Sequence, residues 1–148
     1  MPTRMLLACL LVMTGALVVT APAAAVAPPT TMIREINEYR ADHGLRPLRV
    51  SNRLNRSADG HAESMMSRGV FAHSGARAGN RFKARGEVLE IHRGKRPAVG
   101  RALRSWKRSG GHAAILLSSR YTLIGAGFSR GRYHGIRAGI WTVQVARR

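Results

Sequence analysis

The sequence predicts an α+β domain in which helices pack on an antiparallel sheet. Between residues 31 and 110, apolar side chains recur every three or four positions in three segments, which is the period of a helix. β-Branched and aromatic residues are instead concentrated after residue 120, in the segments YTLIGAGF and GIWTVQV. Helical patterns that come first and strands that come late are typical of helices packed against one sheet. The length of 148 residues suits one such domain.

The first 27 residues are predicted to be a secretory signal peptide. Arg4 precedes an apolar run from Met5 to Val19, and the small-residue stretch TAPAAAVA follows. The apolar run is short for a membrane span of ~20 residues, so we expect cleavage rather than a retained anchor, and no transmembrane span after processing. The domain would then comprise residues 28–148 and be secreted or extracytoplasmic. The single cysteine lies in the predicted signal peptide, so the mature domain would have no disulfide.

Local stop and start signals delimit the three helices. Gly44 ends the first, Ser51 is a good N-cap for the second, and Pro97 suits the first turn of the third. The predicted spans are about 31–43, 51–69 and 97–110.

The remaining segments are predicted as loops and strands. Residues 75–95 are rich in Gly and Arg with little periodicity, which predicts a long loop with a short strand at EVLEI. The segment HAAILL predicts a short apolar turn after the third helix. The two late strand segments are separated by the basic, turn-prone SRGRYHGIRA, and together they predict a C-terminal hairpin.

The chain is strongly basic. It contains 25 Lys and Arg residues against 7 Asp and Glu residues, a formal net charge of +18. Such a surface attracts polyanions in a salt-dependent way. For an exported protein, anionic envelope polymers and lipid head groups are nearer partners than nucleic acid. The basic residues are scattered and few aromatic residues are available for base stacking, so we expect no specific nucleic-acid binding.

Several short segments, in one order along the chain, carry a resemblance to a known family. They are NEYR from Asn37, GLRPL from Gly44, HA at His61, FAHS at 71–74, GEVL at 86–89, WKRSGGH at 106–112, and GAG and WTVQ in the late strands. In this order and spacing they resemble the CAP superfamily (SCP domains), the group of cysteine-rich secretory proteins, antigen 5 and pathogenesis-related 1 proteins, in its bacterial secreted form.

The resemblance implies an α-β-α sandwich, with the antiparallel sheet between helices, and a cleft that gathers two histidines and two acids. Matched position by position, the histidines are His73 and His112, and one acid is Glu87. The second acid would fall at Ser109, so this chain lacks one carboxylate of the pattern.

Two neutral imidazoles and a carboxylate can bind a divalent metal such as zinc. We predict His73 and His112 as the metal ligands, with Glu87 holding the N–H of one histidine. No local spacing supports a metal, because the residues come from separate segments, and two protein ligands predict modest affinity. Alternatively, the three side chains form a buried hydrogen-bonded network that fixes the sandwich.

Two functions remain open from the sequence. One is a binding module for a lipid or an anionic envelope polymer. The other is a hydrolase that uses His73, Glu87 and His112, with or without a metal, and a hydroxyl such as that of Ser74 or Ser109. The missing second acid argues against the hydrolase. Among the other histidines, we expect His61 to be packed in helix two; His43, His92 and His134 are expected to be exposed.

Overall fold

The computed structural model of the chain describes residues 27–75 and 82–148. The predicted signal peptide lies outside the described residues, except for its last position. The elements are α1 (Pro28–Ala41), β1 (Arg49–Val50), α2 (Asn52–Arg68), β2 (Ala84–Arg93), α3 (Val99–Arg108), α4 (Gly110–Leu116), β3 (Leu123–Tyr133) and β4 (Ile136–Arg147). Within the described ranges, no helix has the length and apolar character needed to cross a membrane.

The sheet is antiparallel in its three long strands. Its strand order is β1-β3-β4-β2, and β4 pairs antiparallel with both β3 and β2. The two residues of β1 add a short parallel pair beside β3. The predicted α+β class with an antiparallel sheet is therefore confirmed, with one short parallel pair at the edge.

Helices cover both faces of the sheet. On one face α2 lies unusually close, because two glycines of β3 have no side chain. A Cβ atom at Gly125 would lie 2.3 Å from the carbonyl carbon of Leu54, and one at Gly127 would lie 2.3 Å from the amide of Asp59. On the other face, α1, α3 and α4 enclose the larger core with the odd-numbered side chains of β4. This is the α-β-α sandwich that the resemblance implied.

The sequence underestimated the regular structure between residues 84 and 147. β2 is not a short strand within a loop, because it pairs with β4 over ten consecutive residues. The segment HAAILL belongs to α4 rather than to a turn. The hairpin between β3 and β4 turns on His134 and Gly135 alone, with φ of 48° and 79°, so both strands run through the predicted turn segment.

Arg40 fixes α4, the helix that carries His112, to α1. Its side chain is buried, and its Nη1 donates to the carbonyl oxygens of Leu116 at 2.6 Å and Ser118 at 3.0 Å. Its Nε donates to the carbonyl oxygen of Arg46 at 3.1 Å. Because a buried guanidinium needs such partners, the end of α4 is held at one position against α1.

Candidate functional site

The Glu87 carboxylate is the centre of the candidate site. It lies in β2 opposite Gln144 of β4, and Gln144 Nε2 donates to Oε2 at 2.9 Å. Ser74 donates twice, from its backbone N–H to Oε1 at 2.9 Å and from its hydroxyl to Oε2 at 2.7 Å. His73 Nδ1 lies 3.1 Å from Oε1. The carboxylate thus ties the segment after α2 to the edge of the sheet.

These hydrogen bonds keep Glu87 ionised. Burial alone would raise the pKa of this carboxyl, but the hydrogen bonds from Gln144, from Ser74 and from His73 outweigh burial and hold the pKa below its usual value. Glu87 is therefore a fixed negative charge at neutral pH and can orient a histidine.

His73 presents one ring nitrogen to the cleft. The helix before it ends at Gly69, whose left-handed backbone, with φ of 64°, turns the chain out of α2. The His73 side chain is 60% exposed, and its Nδ1 is held by Glu87. Among the described residues, Nε2 has no hydrogen-bond partner, so it is available to a ligand.

His61 is a third histidine beside the same carboxylate. Its Nε2 lies 2.9 Å from the carbonyl oxygen of Ala72 and 3.9 Å from Glu87 Oε1, and its side chain is 14% exposed. It is packed, as predicted, but it also supports the segment that carries His73. The helical spacing predicted the packing of His61, but its position beside Glu87 was not predicted.

His112, near the start of α4, is the second predicted ligand. Its Nδ1 is buried and has no hydrogen-bond partner in the described part of the chain. Burial, and to a smaller extent the charge of His73, lowers the pKa of His112. The two histidines are therefore electrostatically coupled, and His112 is neutral at neutral pH, the form that a metal requires.

Ser109 is placed between α3 and α4, where it ends one helix and precedes the other. Its side chain does not cap α4. No hydrogen bond within residues 27–75 and 82–148 joins its hydroxyl to Glu87, His73 or His112. Its assignment to the cleft therefore stays a prediction, whereas His73 and Glu87 are in direct contact.

A cavity of about 340 Å³ opens beside Glu87. A second cavity of about 410 Å³ adjoins it, and His73, Ser74 and Gly75 line both. The first has mixed polar and apolar walls, formed by Leu54, His73, Ser74, Gly75, Arg85, Gly86, Glu87, Gln144 and Val145. Its size is at the lower end of the range for small-molecule sites. The arrangement suits binding of a small ligand or of one group of a larger ligand.

The donor set fits a divalent metal only in part. His73 offers Nε2 while Glu87 fixes its other nitrogen. His112 has a neutral ring with an unpaired Nδ1, but this atom is buried and His112 is not among the residues that line the two cavities. However, no group of three or more His, Cys, Asp or Glu side chains in the described ranges is arranged to hold an ion. The chain itself could supply two nitrogen ligands, and the other positions would fall to water or to the bound molecule.

A second acid–histidine pair lies on the opposite face of the same strand. His92, which we predicted to be exposed, is buried, so that prediction is wrong. Its Nδ1 lies 2.8 Å from Glu90 Oε2, and its Nε2 lies 2.7 Å from the carbonyl oxygen of Arg96. Because β2 extends to Arg93, the alternation of the strand turns both side chains inward under α3. Recognising the full length of β2 would have revealed this pair.

Comparison with known proteins agrees with this fold. Residues 33–145 match the family described as CAP, the cysteine-rich secretory protein family. The uncharacterized protein YkwD of Bacillus subtilis (strain 168) is 26% identical over 136 residues, which cover 84% of this chain and 49% of YkwD. The uncharacterized membrane protein YlbC of the same organism is 31% identical over 107 residues, 66% of this chain and 30% of YlbC. The chain therefore spans half or less of these relatives.

Solved structures show the same architecture. An outer surface protein from Borrelia burgdorferi superposes with a TM-score of 0.67 at 20% identity, over 80% of this chain and 91% of that protein. An extracellular SCP-domain protein from Bacillus anthracis str. Ames gives a TM-score of 0.67 at 22% identity, over 82% of this chain and 40% of that one. At these identities the structural likeness concerns the fold, and the match over 33–145 establishes that the chain belongs to the CAP, or cysteine-rich secretory protein, family.

Proposed function

We propose that the protein is a binding module, at the cell envelope or outside the cell, whose His/Glu cleft binds a divalent metal ion. One observation carries the proposal. Glu87 accepts a hydrogen bond from His73 Nδ1, and Nε2 of this exposed imidazole has no partner in the described part of the chain and lies beside a cavity. A carboxylate that orients a histidine in this way is the common arrangement behind a metal-bound imidazole.

His73 and His112 would hold the ion, and zinc is one of the metals that neutral imidazoles bind well. A bound ion would supply positive charge and open coordination positions for a polar group of the ligand. Glu87 would act through His73, because its four hydrogen bonds already occupy both carboxylate oxygens.

The charge of the chain supports a location at anionic surfaces. The formal net charge of +18 favours retention on an anionic envelope polymer or lipid. The structurally similar proteins include an outer surface protein and an extracellular protein, which supports the predicted export. Retention on anionic vesicles should fall steeply as salt rises, because exposed charges are screened. Retention that does not respond to salt would contradict this part of the proposal.

The alternative, a His/Glu-dependent hydrolase, receives less support from the geometry. An activated hydroxyl must donate to a base such as histidine. The Ser74 hydroxyl instead donates to Glu87 at 2.7 Å, and Ser109 stands where the second acid of the family pattern would be. Hydrolysis of any substrate that is lost in both His73→Ala and His112→Ala would favour this alternative.

The test is zinc titration of the purified protein by calorimetry at neutral pH. We expect one zinc ion per chain with micromolar affinity, lost in the double variant His73→Ala/His112→Ala. His43→Ala is the matched control, because His43 is an exposed histidine that is not among the residues lining the two cavities. Circular dichroism verifies that each variant is folded. Equal zinc binding by the wild type and the folded double variant would refute the metal site.

A further inference from the structure

A second candidate site lies where β2 leads into α3. A cavity of about 370 Å³ opens there, and its walls carry five basic side chains, from Arg93, Lys95, Arg96, Arg101 and Arg137. We call this cavity the basic pocket. All five residues are exposed, whereas His92 at its base is buried. The pocket shares no lining residue with the cavity beside Glu87.

The positive charge of the basic pocket is poorly balanced. Within the described part of the chain, one of its five basic residues has an acidic neighbour: Arg101 Nε lies 3.8 Å from Glu90 Oε1. Glu90 has a shorter contact with His92, 2.8 Å from its Oε2 to Nδ1 of the histidine. Like charges gathered around a concave surface repel one another and concentrate an attractive field for anions. An anion in the pocket would relieve that repulsion.

The backbone beneath these side chains is fixed in three places. His92 Nε2 donates to the carbonyl oxygen of Arg96 at 2.7 Å, and the N–H of Gly94 donates to the carbonyl oxygen of Arg137 at 2.8 Å. The indole N–H of Trp141 donates to the carbonyl oxygen of Pro97. The segment that carries Lys95 and Arg96 is therefore held in place before any ligand arrives, which lowers the entropic cost of binding.

The chemistry of the walls selects a class of anion. Guanidinium groups form paired hydrogen bonds with phosphate oxygens, and four of the five basic residues are arginines. The amino-terminal end of α3 also opens on the pocket at Ala98, with no side-chain cap and no acidic residue in its first turn. The N–H groups of its first turn add partial positive charge. We propose that the basic pocket binds a phosphate group, at a site separate from the His/Glu cleft.

Calorimetry with sodium pyrophosphate tests this proposal on the purified protein in chelator-free buffer at physiological salt. The wild type should bind one pyrophosphate per chain in a saturable way. The variant Arg96→Gln/Arg101→Gln should bind at least about tenfold more weakly, because two guanidinium groups are removed from the walls. It should remain folded, since both side chains are exposed and the backbone contacts are kept.

The matched control is Arg53→Gln/Arg56→Gln, which removes the same charge from the exposed side of α2. The control should bind pyrophosphate within about twofold of the wild type. Equal weakening in the two double variants would show attraction by overall charge and overturn the pocket. Absence of saturable binding would overturn it as well. If Arg96→Gln/Arg101→Gln misfolds, Lys95→Gln/Arg137→Gln is measured instead. Its affinity for pyrophosphate should be weakened in the same way relative to the same control.

A second arm identifies the source of the phosphate group. Co-sedimentation with vesicles of phosphatidylglycerol in phosphatidylcholine is measured for the same variants. A selective loss in Arg96→Gln/Arg101→Gln, as with pyrophosphate, would assign the pocket to a lipid head group. Equal retention of the two double variants on vesicles, together with selective loss of pyrophosphate binding, would assign it to a soluble phosphorylated ligand. Both results rest on the pyrophosphate arm, which does not depend on zinc binding in the cleft.

Discussion

Strand β2 carries two acid–histidine pairs, one on each face, and they differ in what surrounds the imidazole. Glu87 meets a histidine from another segment, whose side chain is 60% exposed and has one nitrogen free among the described residues. Glu90 meets a histidine of its own strand, whose side chain is 2% exposed and has both nitrogens bonded to acceptors. The same two residue types therefore form a candidate binding site on one face and a buried structural hydrogen-bonded pair on the other.

The carboxylates of Glu87 and Glu90 have different roles. In the Glu90 pair, both partners are enclosed, so removal of either leaves an uncompensated polar group. In the Glu87 pair, the carboxylate is enclosed but its histidine is not, so the imidazole can change partners without unfolding the chain. We therefore expect loss of the histidine of the Glu90 pair to reduce stability more than binding, and loss of the histidine of the Glu87 pair to reduce binding more than stability.

The largest expected effect is on stability, in His92→Ala. The change leaves Glu90 buried without its histidine and removes the ring stacked on Phe128 at 6.1 Å. We expect a loss of about 3–5 kcal/mol in the free energy of unfolding, measured by urea denaturation. His73→Ala, at an exposed position, should lose less than about 1 kcal/mol. Equal losses in the two variants would erase the distinction between the pairs.

The next effect concerns the carboxylate of the cleft, in Glu87→Gln. The Ser74 backbone N–H donates to Oε1 of Glu87 and the Gln144 NH₂ donates to Oε2, so the NH₂ of a glutamine would face one of these donors in either orientation. We expect a loss of about 1–3 kcal/mol in the free energy of unfolding. Glu63→Gln, an exposed change on α2, is the control and should be nearly neutral. Full stability in Glu87→Gln would mean that the network contributes nothing to folding.

The free energy of unfolding should fall in two steps as the pH is lowered. The pKa of His112 is lowered from 6.5 by burial and by His73, so the unfolded chain binds its proton more readily. The contribution of neutral His112 is therefore complete above pH 6.5 and is lost as pH falls through the lowered pKa. The pKa of Glu87 is lowered from 4.5 by its hydrogen bonds, which outweigh burial, so a second loss begins below pH 4.5.

Urea denaturation across this pH range, in the presence of a chelator, measures both steps. In His112→Gln, the fall in stability that begins below pH 6.5 (the upper step) should be absent, and the fall that begins below pH 4.5 should remain. An upper step of unchanged size in His112→Gln would assign it to another group.

The smallest expected effect is in Ser109→Ala. Within the described residues, the Ser109 side chain neither caps α4 nor forms a hydrogen bond with His73, His112 or Glu87. The free energy of unfolding should change by less than about 0.5 kcal/mol, and zinc affinity by less than about twofold. A larger loss of zinc affinity, measured by the same calorimetry, would indicate that Ser109 belongs to the site, as the sequence pattern predicted.

The features that the sequence predicted well are those encoded locally. Ser51 caps α2 with its side chain, and Gly69 ends that helix in the left-handed region, as their positions suggested. The contact of His73 with Glu87 followed from two short motifs of the family. In contrast, the length of β2 depends on pairing with β4, about fifty residues later in the chain, and no local pattern reports such a partner.

The error at His92 follows from that missing partner. Because His92 lay in a predicted loop, the sequence did not reveal that His92 and Glu90, two residues apart in one strand, lie on the same face of the sheet. The basic pocket was hidden for the same reason, since Arg137 comes beside Arg96 and Arg101 only when β2 and β4 pair to their ends. Scattered charges in the sequence become a cluster through the register of the sheet.

Direct detection of the imidazole nitrogens by NMR during a zinc titration is the sharpest test of the contrast between the two pairs. Zinc should shift the signals of His73 Nε2 and of His112. Both nitrogens of His92 should keep their chemical shifts, because they are already hydrogen-bonded and the side chain is buried. Zinc that leaves His73 and His112 unchanged, or that shifts His92 instead, would contradict the assignment of binding to one face of β2 and structure to the other.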